Sequence, residues 1–231
     1  MVKTTRFVTE SVAIFCPESE EKDYKKHHKV VVGVPDEIVG ITRTRNWILN
    51  RSWTMGEKRI LMMDDDLKVF AKFEKGKPGV GIPVDFERFL HLVLNMFDMA
   101  EAIGTNLWGF QVTNDGKTYR EYSPFSLQSF IAGHLMGIID DGQRFDERFR
   151  LKEDYDFSLQ SLYRHRCVLR FNKYSFYTDH HDTVGGCRTY RTMEMETEAI
   201  EMLKKKWGSE LVWTNPKKRY EVRVRSPISG I

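Results

Sequence analysis

The chain has 231 residues, 41% hydrophobic and 13% aromatic, which is enough for one large core, so a single domain over residues 1–231 is expected. Its 36 Lys and Arg against 33 Asp and Glu leave a formal charge of +3, too small to establish a polyanion partner by itself. Cys16, Cys167 and Cys187 form no CxxC pair and cannot all be bonded within one chain, no apolar signal core follows Met1, and no apolar run nears the ~20 residues that span a bilayer; secretion and membrane insertion are not expected, and a reducing, cytoplasmic setting is.

Two short apolar runs come first, Val12-Ala13-Ile14-Phe15-Cys16-Pro17 and Val30-Val31-Val32-Gly33-Val34-Pro35. Each stops at a proline, as parallel strands buried on both faces would. Ile41 to Trp53 has the length of a helix and is closed by Met55-Gly56. Ile60-Leu61-Met62-Met63 makes a third strand, and it runs straight into Asp64-Asp65-Asp66. Adjoining carboxylates repel one another and resist losing water, so a triple Asp at the mouth of a core strand is expected where a divalent cation or polyphosphate compensates it. Asp64 and Asp66, at i and i+2, aim at one centre on strand alternation while Asp65 points away. Oxygen ligands of this kind suit Mg²⁺ or Mn²⁺, often completed by substrate phosphates. The alternative is an acidic loop or helix cap.

Lys72 to Pro83 is rich in Gly, Lys and Pro and reads as a surface loop, after which Asp85 caps a helix. Phe86, Phe89, Leu90, Val93, Leu94, Phe97 and Ala100 fall at three- and four-residue intervals as its core face, with Gly104 as the stop. Trp108 to Thr113 and Phe130 to Ile139 are the next strands, separated by Asn114-Asp115-Gly116 and a polar aromatic loop. A second acidic cluster follows. Phe145-Asp146-Glu147 leads through Glu153, Asp154 and Asp156 into a helix over Phe157 to Tyr163. Carboxylates in a first helical turn are favoured by the helix dipole, and one of them, Asp154, could equally serve as a general base toward an acceptor hydroxyl.

Cys167 to Phe171 and Tyr174 to Tyr177 read as strands, followed by His180-His181-Asp182 and by Gly185-Gly186 with Arg188. Adjacent side chains diverge, so one histidine of the pair at most faces a metal, and the glycines beside Arg188 suit an anion-binding loop. A final helix over Thr192 to Trp207 precedes a tail with Lys217-Lys218-Arg219, Arg223 and Arg225, a phosphate-contacting surface or simply a solvated end. The expected fold is α/β, a mixed, mostly parallel sheet flanked by helices. It divides into 1–113, 114–191 and 192–231, the last a C-terminal helix and basic tail. No GxxxxGK[ST] follows a strand, which disfavours a P-loop nucleotidase.

In order and spacing, Gly40-Ile41-Thr42-Arg43-Thr44-Arg45-Asn46-Trp47-Ile48, Asp64-Asp65-Asp66, Phe145-Asp146-Glu147 and Glu153-Asp154-Tyr155-Asp156 resemble the GT-A nucleotide-sugar glycosyltransferases, over residues from about 12 to 190. Among these the chain looks most like the TET-associated glycosyltransferases, phage enzymes that decorate hydroxymethylated pyrimidines in DNA. The resemblance implies a GT-A-like fold with 1–113 as the donor-nucleotide half and 114–191 as the acceptor and catalytic half, a UDP-sugar donor, Mn²⁺ or Mg²⁺, and a DNA acceptor, most naturally 5-hydroxymethylcytosine, in the cytoplasm of an infected host cell. It implies Arg45 near the donor nucleotide or pyrophosphate, Asp64 toward ribose with Asp65 beside it, Asp66 on the metal with His180 or His181, and Cys16-Pro17 at the nucleobase. Asp154, paired with Glu153, would deprotonate the acceptor, and Arg188 would contact the donor. Direct displacement by such a base inverts the anomeric carbon. Competing readings are a glycosyltransferase with a protein, glycan or small-molecule acceptor, a non-catalytic nucleic-acid-binding module, and a metal phosphohydrolase. Oligomeric state and sugar identity have no readable code.

Overall fold

The structure, a computed structural model, describes residues 12–74, 81–111, 115–178, 192–215 and 218–224. Strand β1 (Ile14–Pro17), the short helix α1 (Glu21–Tyr24) and β2 (Val31–Val34) open the chain, followed by helix α2 (Ile41–Thr54) and β3 (Arg59–Met63). Next come β4 (Leu67–Lys72), β5 (Ile82–Pro83), helix α3 (Phe86–Ile103), β6 (Leu107–Gln111), β7 (Phe125–Ser126) and β8 (Leu135–Ile139). Helix α4 (Glu153–His165), β9 (Leu169–Thr178), helix α5 (Met193–Trp207), β10 (Val212–Asn215) and β11 (Lys218–Val224) complete it.

Among the described residues the main sheet runs β3-β8-β6-β9-β4-β5, with β7 added on β9. Only β6 and β9 pair in parallel within it; β1 and β2 form a separate parallel pair, and β10 and β11 an antiparallel one. The mixed α/β architecture flanked by helices is as expected, while the parallel share is smaller. The reason lies in burial. Helices cover both faces of the sheet, so an antiparallel strand here carries the same unbroken apolar signature as a parallel one.

Strand β8 shows both faces at work. Leu135 and Ile139 pack with Phe89, Val93, Met96 and Phe97 of α3, whereas Met136 and Ile138 pack with Phe157 and Leu162 of α4 and Leu203 of α5. Gly137 lies between them because the indole of Trp108 occupies the space that a Cβ would need. Helix α3 starts where Asp85 accepts a hydrogen bond from the Arg88 amide at 2.8 Å and ends at Gly104, which takes a φ of +77°. Of its expected core residues, Leu90 and Leu94 turn outward, Leu94 to 57% exposure, because the buried stripe runs through Phe89, Val93, Met96, Phe97 and Ala100.

Other differences are local. The Phe130–Ile139 stretch is strand only from Leu135, and the two strands expected beyond Cys167 are one continuous β9. Within the expected basic tail Lys218 to Val224 form β11, and Val212 and Val222 of the β10–β11 hairpin enter the core that holds Ile200 and Leu203 of α5, while Lys217 and Arg225 lie outside the described residues. Among the described residues no helix is long and apolar enough to cross a membrane.

Candidate active site

Arg45 organises the site. It lies on the second turn of α2, and its side chain is only 7% exposed. Nη1 donates to Glu153 Oε1 at 2.9 Å, while Nη2 donates to Asp64 Oδ1 at 3.1 Å and to the Gly133 carbonyl at 2.8 Å. One guanidinium therefore joins the end of β3, the turn before β8 and the first residue of α4, a use for which its planar array of donors is suited. The turn adds two further ties. Gly133 donates its amide to Asp154 Oδ2 at 3.0 Å, and Asp64 donates its amide to the His134 carbonyl at 3.0 Å. A Cβ at Gly133 would stand 2.8 Å from Arg45 Nη1, so only glycine permits this approach.

Asn46, the next residue on α2, faces elsewhere. It receives the Phe145 amide on Oδ1 at 2.8 Å and donates Nδ2 to the Phe145 carbonyl at 2.9 Å and to Glu147 at 3.1 Å. The Phe145-Asp146-Glu147 segment is thus fastened to α2 through its backbone. Asp146 turns from the cleft toward Arg148 and Lys206, which hold its carboxyl far below the usual range.

Burial and charge pull against each other at the centre. Burial works to lower the Arg45 pKa, yet the carboxylates of Asp64, Glu153 and Asp154 outweigh it and hold it above its ordinary value. Burial, with the neighbouring Asp154 charge, pushes the Glu153 carboxyl up to about 7 against the pull of Arg45. Asp64 is also raised, first by the protein packed around it, although 40% of its side chain still opens toward solvent in the cleft.

That cleft has a volume of about 520 Å³. Its lining includes Cys16 and Pro17 at the end of β1, Tyr24 of α1, the polar side chains Arg45, Asp64 and Asp65, and Leu90 of α3. Its size and its mixture of apolar wall with few convergent polar groups suit a small organic ligand. The hollow of about 460 Å³ beside Trp47 and Met55 has no acidic residue in its lining and lies outside this constellation.

Cys16, Pro17, Arg45, Asp64 and Asp65 therefore come to one cleft, and Glu153 and Asp154 join it through Arg45 and Gly133. Asp66 is not among the lining residues. The expected Asp64/Asp66 alternation ends because β3 stops at Met63 and residues 64–66 lead through a turn into β4, so Asp65 accompanies Asp64 at the cleft. His180, His181 and Arg188, with Gly185 and Gly186, lie outside the described residues, among which no group of three His, Cys, Asp or Glu is set to hold a metal ion. Sequence reasoning missed Gly133, Tyr24 and Leu90. For Gly133 a signal existed, since an isolated glycine in an apolar strand pattern marks a close backbone approach.

An α/β sheet covered on both faces, with a ligand-sized cleft that meets an acidic strand end and a Glu-Asp helix start, is an architecture compatible with sugar transfer, and the chain is a glycosyltransferase. The particular family follows from comparison of sequences. The family model described as TET-associated glycosyltransferase matches residues 3–186, most of the chain, and the chain belongs to that family. No curated protein and no solved structure matches it.

Proposed function

We propose that the enzyme moves a sugar from a UDP-sugar to the hydroxyl of 5-hydroxymethylcytosine in DNA, with Mn²⁺ or Mg²⁺, by an inverting displacement. One observation carries this reading. Arg45 brings the acidic strand end and the Glu153-Asp154 pair, 89 residues apart at Asp64 and Glu153, into one constellation at the end of a cleft. The cleft from Cys16 and Pro17 to Asp64 suits a nucleoside diphosphate, with the base at the β1 end. In this reading Asp64 contacts the ribose with Asp65 beside it, Arg45 lies near the nucleotide or pyrophosphate, and Arg188 is a further donor contact.

Charge supports a cation. Three carboxylates, Asp64, Glu153 and Asp154, surround one guanidinium, so a diphosphate entering there meets excess negative charge. Asp66 with His180 or His181 would hold a divalent ion there, which when bound would supply compensating charge to the leaving diphosphate. Asp154, oriented by the Gly133 amide, takes the proton of the acceptor hydroxyl. A second reading makes Glu153 the base, favoured by its titration at about 7, near neutral pH. Comparison of Asp154→Asn with Glu153→Gln separates the two: the base variant loses turnover with donor binding intact.

The direct test is incubation with duplex DNA containing 5-hydroxymethylcytosine, a panel of UDP-sugars and Mn²⁺, followed by nucleoside mass spectrometry, with a chelator control. A new hexose or N-acetylhexosamine mass, lost on chelation, is expected. Transfer only to a peptide, glycan or small molecule overturns the DNA acceptor, release of phosphate without transfer indicates a phosphohydrolase, and retention of anomeric configuration overturns the single displacement.

A further inference from the structure

The residue that opens α4 has an unusual backbone. Lys152 takes a φ of +62°, a left-handed conformation that favours glycine, and Glu153 and Asp154 follow it directly. A side chain larger than hydrogen at such a position is explained when the side chain itself makes a contact that the fold uses. Lys152 makes one. Its ammonium lies 2.8 Å from Glu196 Oε2 of α5, with the two side chains only 7% and 6% exposed.

A second tie lies one turn further along α4. Asp156 is wholly buried, and α5 supplies two of its partners: Trp207 donates Nε1 to Oδ1 at 2.8 Å, and Lys206 donates to Oδ2 at 2.9 Å. Gln160 within α4 donates to Oδ2 at 2.7 Å. Glu153 and Asp154 thus sit between two residues, Lys152 and Asp156, that α5 grips from behind, while their own carboxylates reach forward to Arg45 and Gly133. Helix α5 begins at Met193, beyond the residues 3–186 that match the family.

We infer that helix α5 is a positioning clamp for the reacting carboxylates: Glu196, through Lys152, holds the left-handed turn that directs Glu153 to Arg45 and Asp154 to Gly133. Asp156, Lys206 and Trp207 fix the other end of the same helical turn. The inference rests on the reading of Glu153 and Asp154 as the proton-accepting pair. Glu196 and Lys152 are positioning residues; the donor cleft is formed by other elements, β1, α1, α2, β3 and α3.

The experiment compares Glu196→Gln, Glu196→Asp, Lys152→Gly, Asp154→Asn and Glu153→Gln in the full chain, measuring kcat and donor KM with the UDP-sugar and 5-hydroxymethylcytosine DNA assay, donor binding by calorimetry and folding by thermal melting. Misplacement of a reacting group by a fraction of an ångström is expected to lower kcat about 10- to 100-fold in Glu196→Gln and Lys152→Gly. Donor KM and affinity should stay within about threefold, and Glu196→Asp should recover part of kcat. Lys152→Gly removes the ion pair yet keeps a residue at home in the left-handed turn, so it decides the matter where Glu196→Gln does not fold. Wild-type kcat in the folded Gln and Gly variants overturns the clamp, as does a loss that only tracks the fraction of folded protein. Full turnover in both Asp154→Asn and Glu153→Gln, or no transfer by the wild type, instead overturns the reading of the site and the clamp with it.

Discussion

The two acidic clusters look alike in sequence and behave differently in the fold. Asp64-Asp65-Asp66 occupies a turn beside the cleft, where Asp65 is exposed and Asp64 shares Arg45 with other acceptors. In Glu153-Asp154-Tyr155-Asp156 each carboxylate is met by a different partner: Arg45, the Gly133 amide, and the Lys206–Trp207 pair. The difference teaches that a run of carboxylates has no single meaning. What faces each one decides whether it is left open to solvent in the cleft, tied to a shared guanidinium or a backbone amide, or used to hold two helices together.

The largest expected effect tests the structural end of that scale. Asp156→Ala leaves Lys206 and Trp207 without their buried acceptor and should cost about 3–5 kcal/mol in urea unfolding. A loss as small as that of a surface residue would erase the distinction between the clusters. Gly133→Ala is next. Its methyl group displaces the Arg45 guanidinium, so kcat should fall by about 100-fold while the chain remains folded by circular dichroism.

A smaller effect is expected from pH. With Glu153 raised from 4.5 to about 7, the folded state holds a proton there that the unfolded state has released. Stability from this group is therefore present at low pH and declines as pH rises from about 4.5 to 7. Relative to Glu153→Gln, the wild type should lose on the order of 1–3 kcal/mol of unfolding free energy across that window, measured by denaturant titration at each pH. The opposite slope would remove the claim that burial dominates at Glu153. Smallest of all, Asp65→Asn should change stability by less than about 0.5 kcal/mol, since the side chain is exposed.

Elements whose own residues carry their start and stop were legible in the sequence. Asp85 and Gly104 bound α3, proline ends β1, and the apolar lead-in to Asp64 marked β3. Elements defined by partners were not. Strand β4 follows the acidic triplet so closely that only its pairing with β9 reveals it, and β11 hides the core residue Val222 between Glu221 and Arg223. The site divides in the same way. Asp64 could be named from its type and spacing and Arg45 and Glu153 from the family resemblance, whereas Gly133 contributes only backbone and space, for which an isolated glycine in an apolar run is the one trace in the sequence.

Arg45 also makes Asp64 and Glu153 rivals for one cation. Whatever neutralises Asp64 changes how firmly the same guanidinium holds Glu153, and protonation of Glu153 changes what remains for Asp64. Binding at Asp64 and protonation of Glu153 are thermodynamically linked through this one side chain, and the coupling factor is the same whichever occurs first.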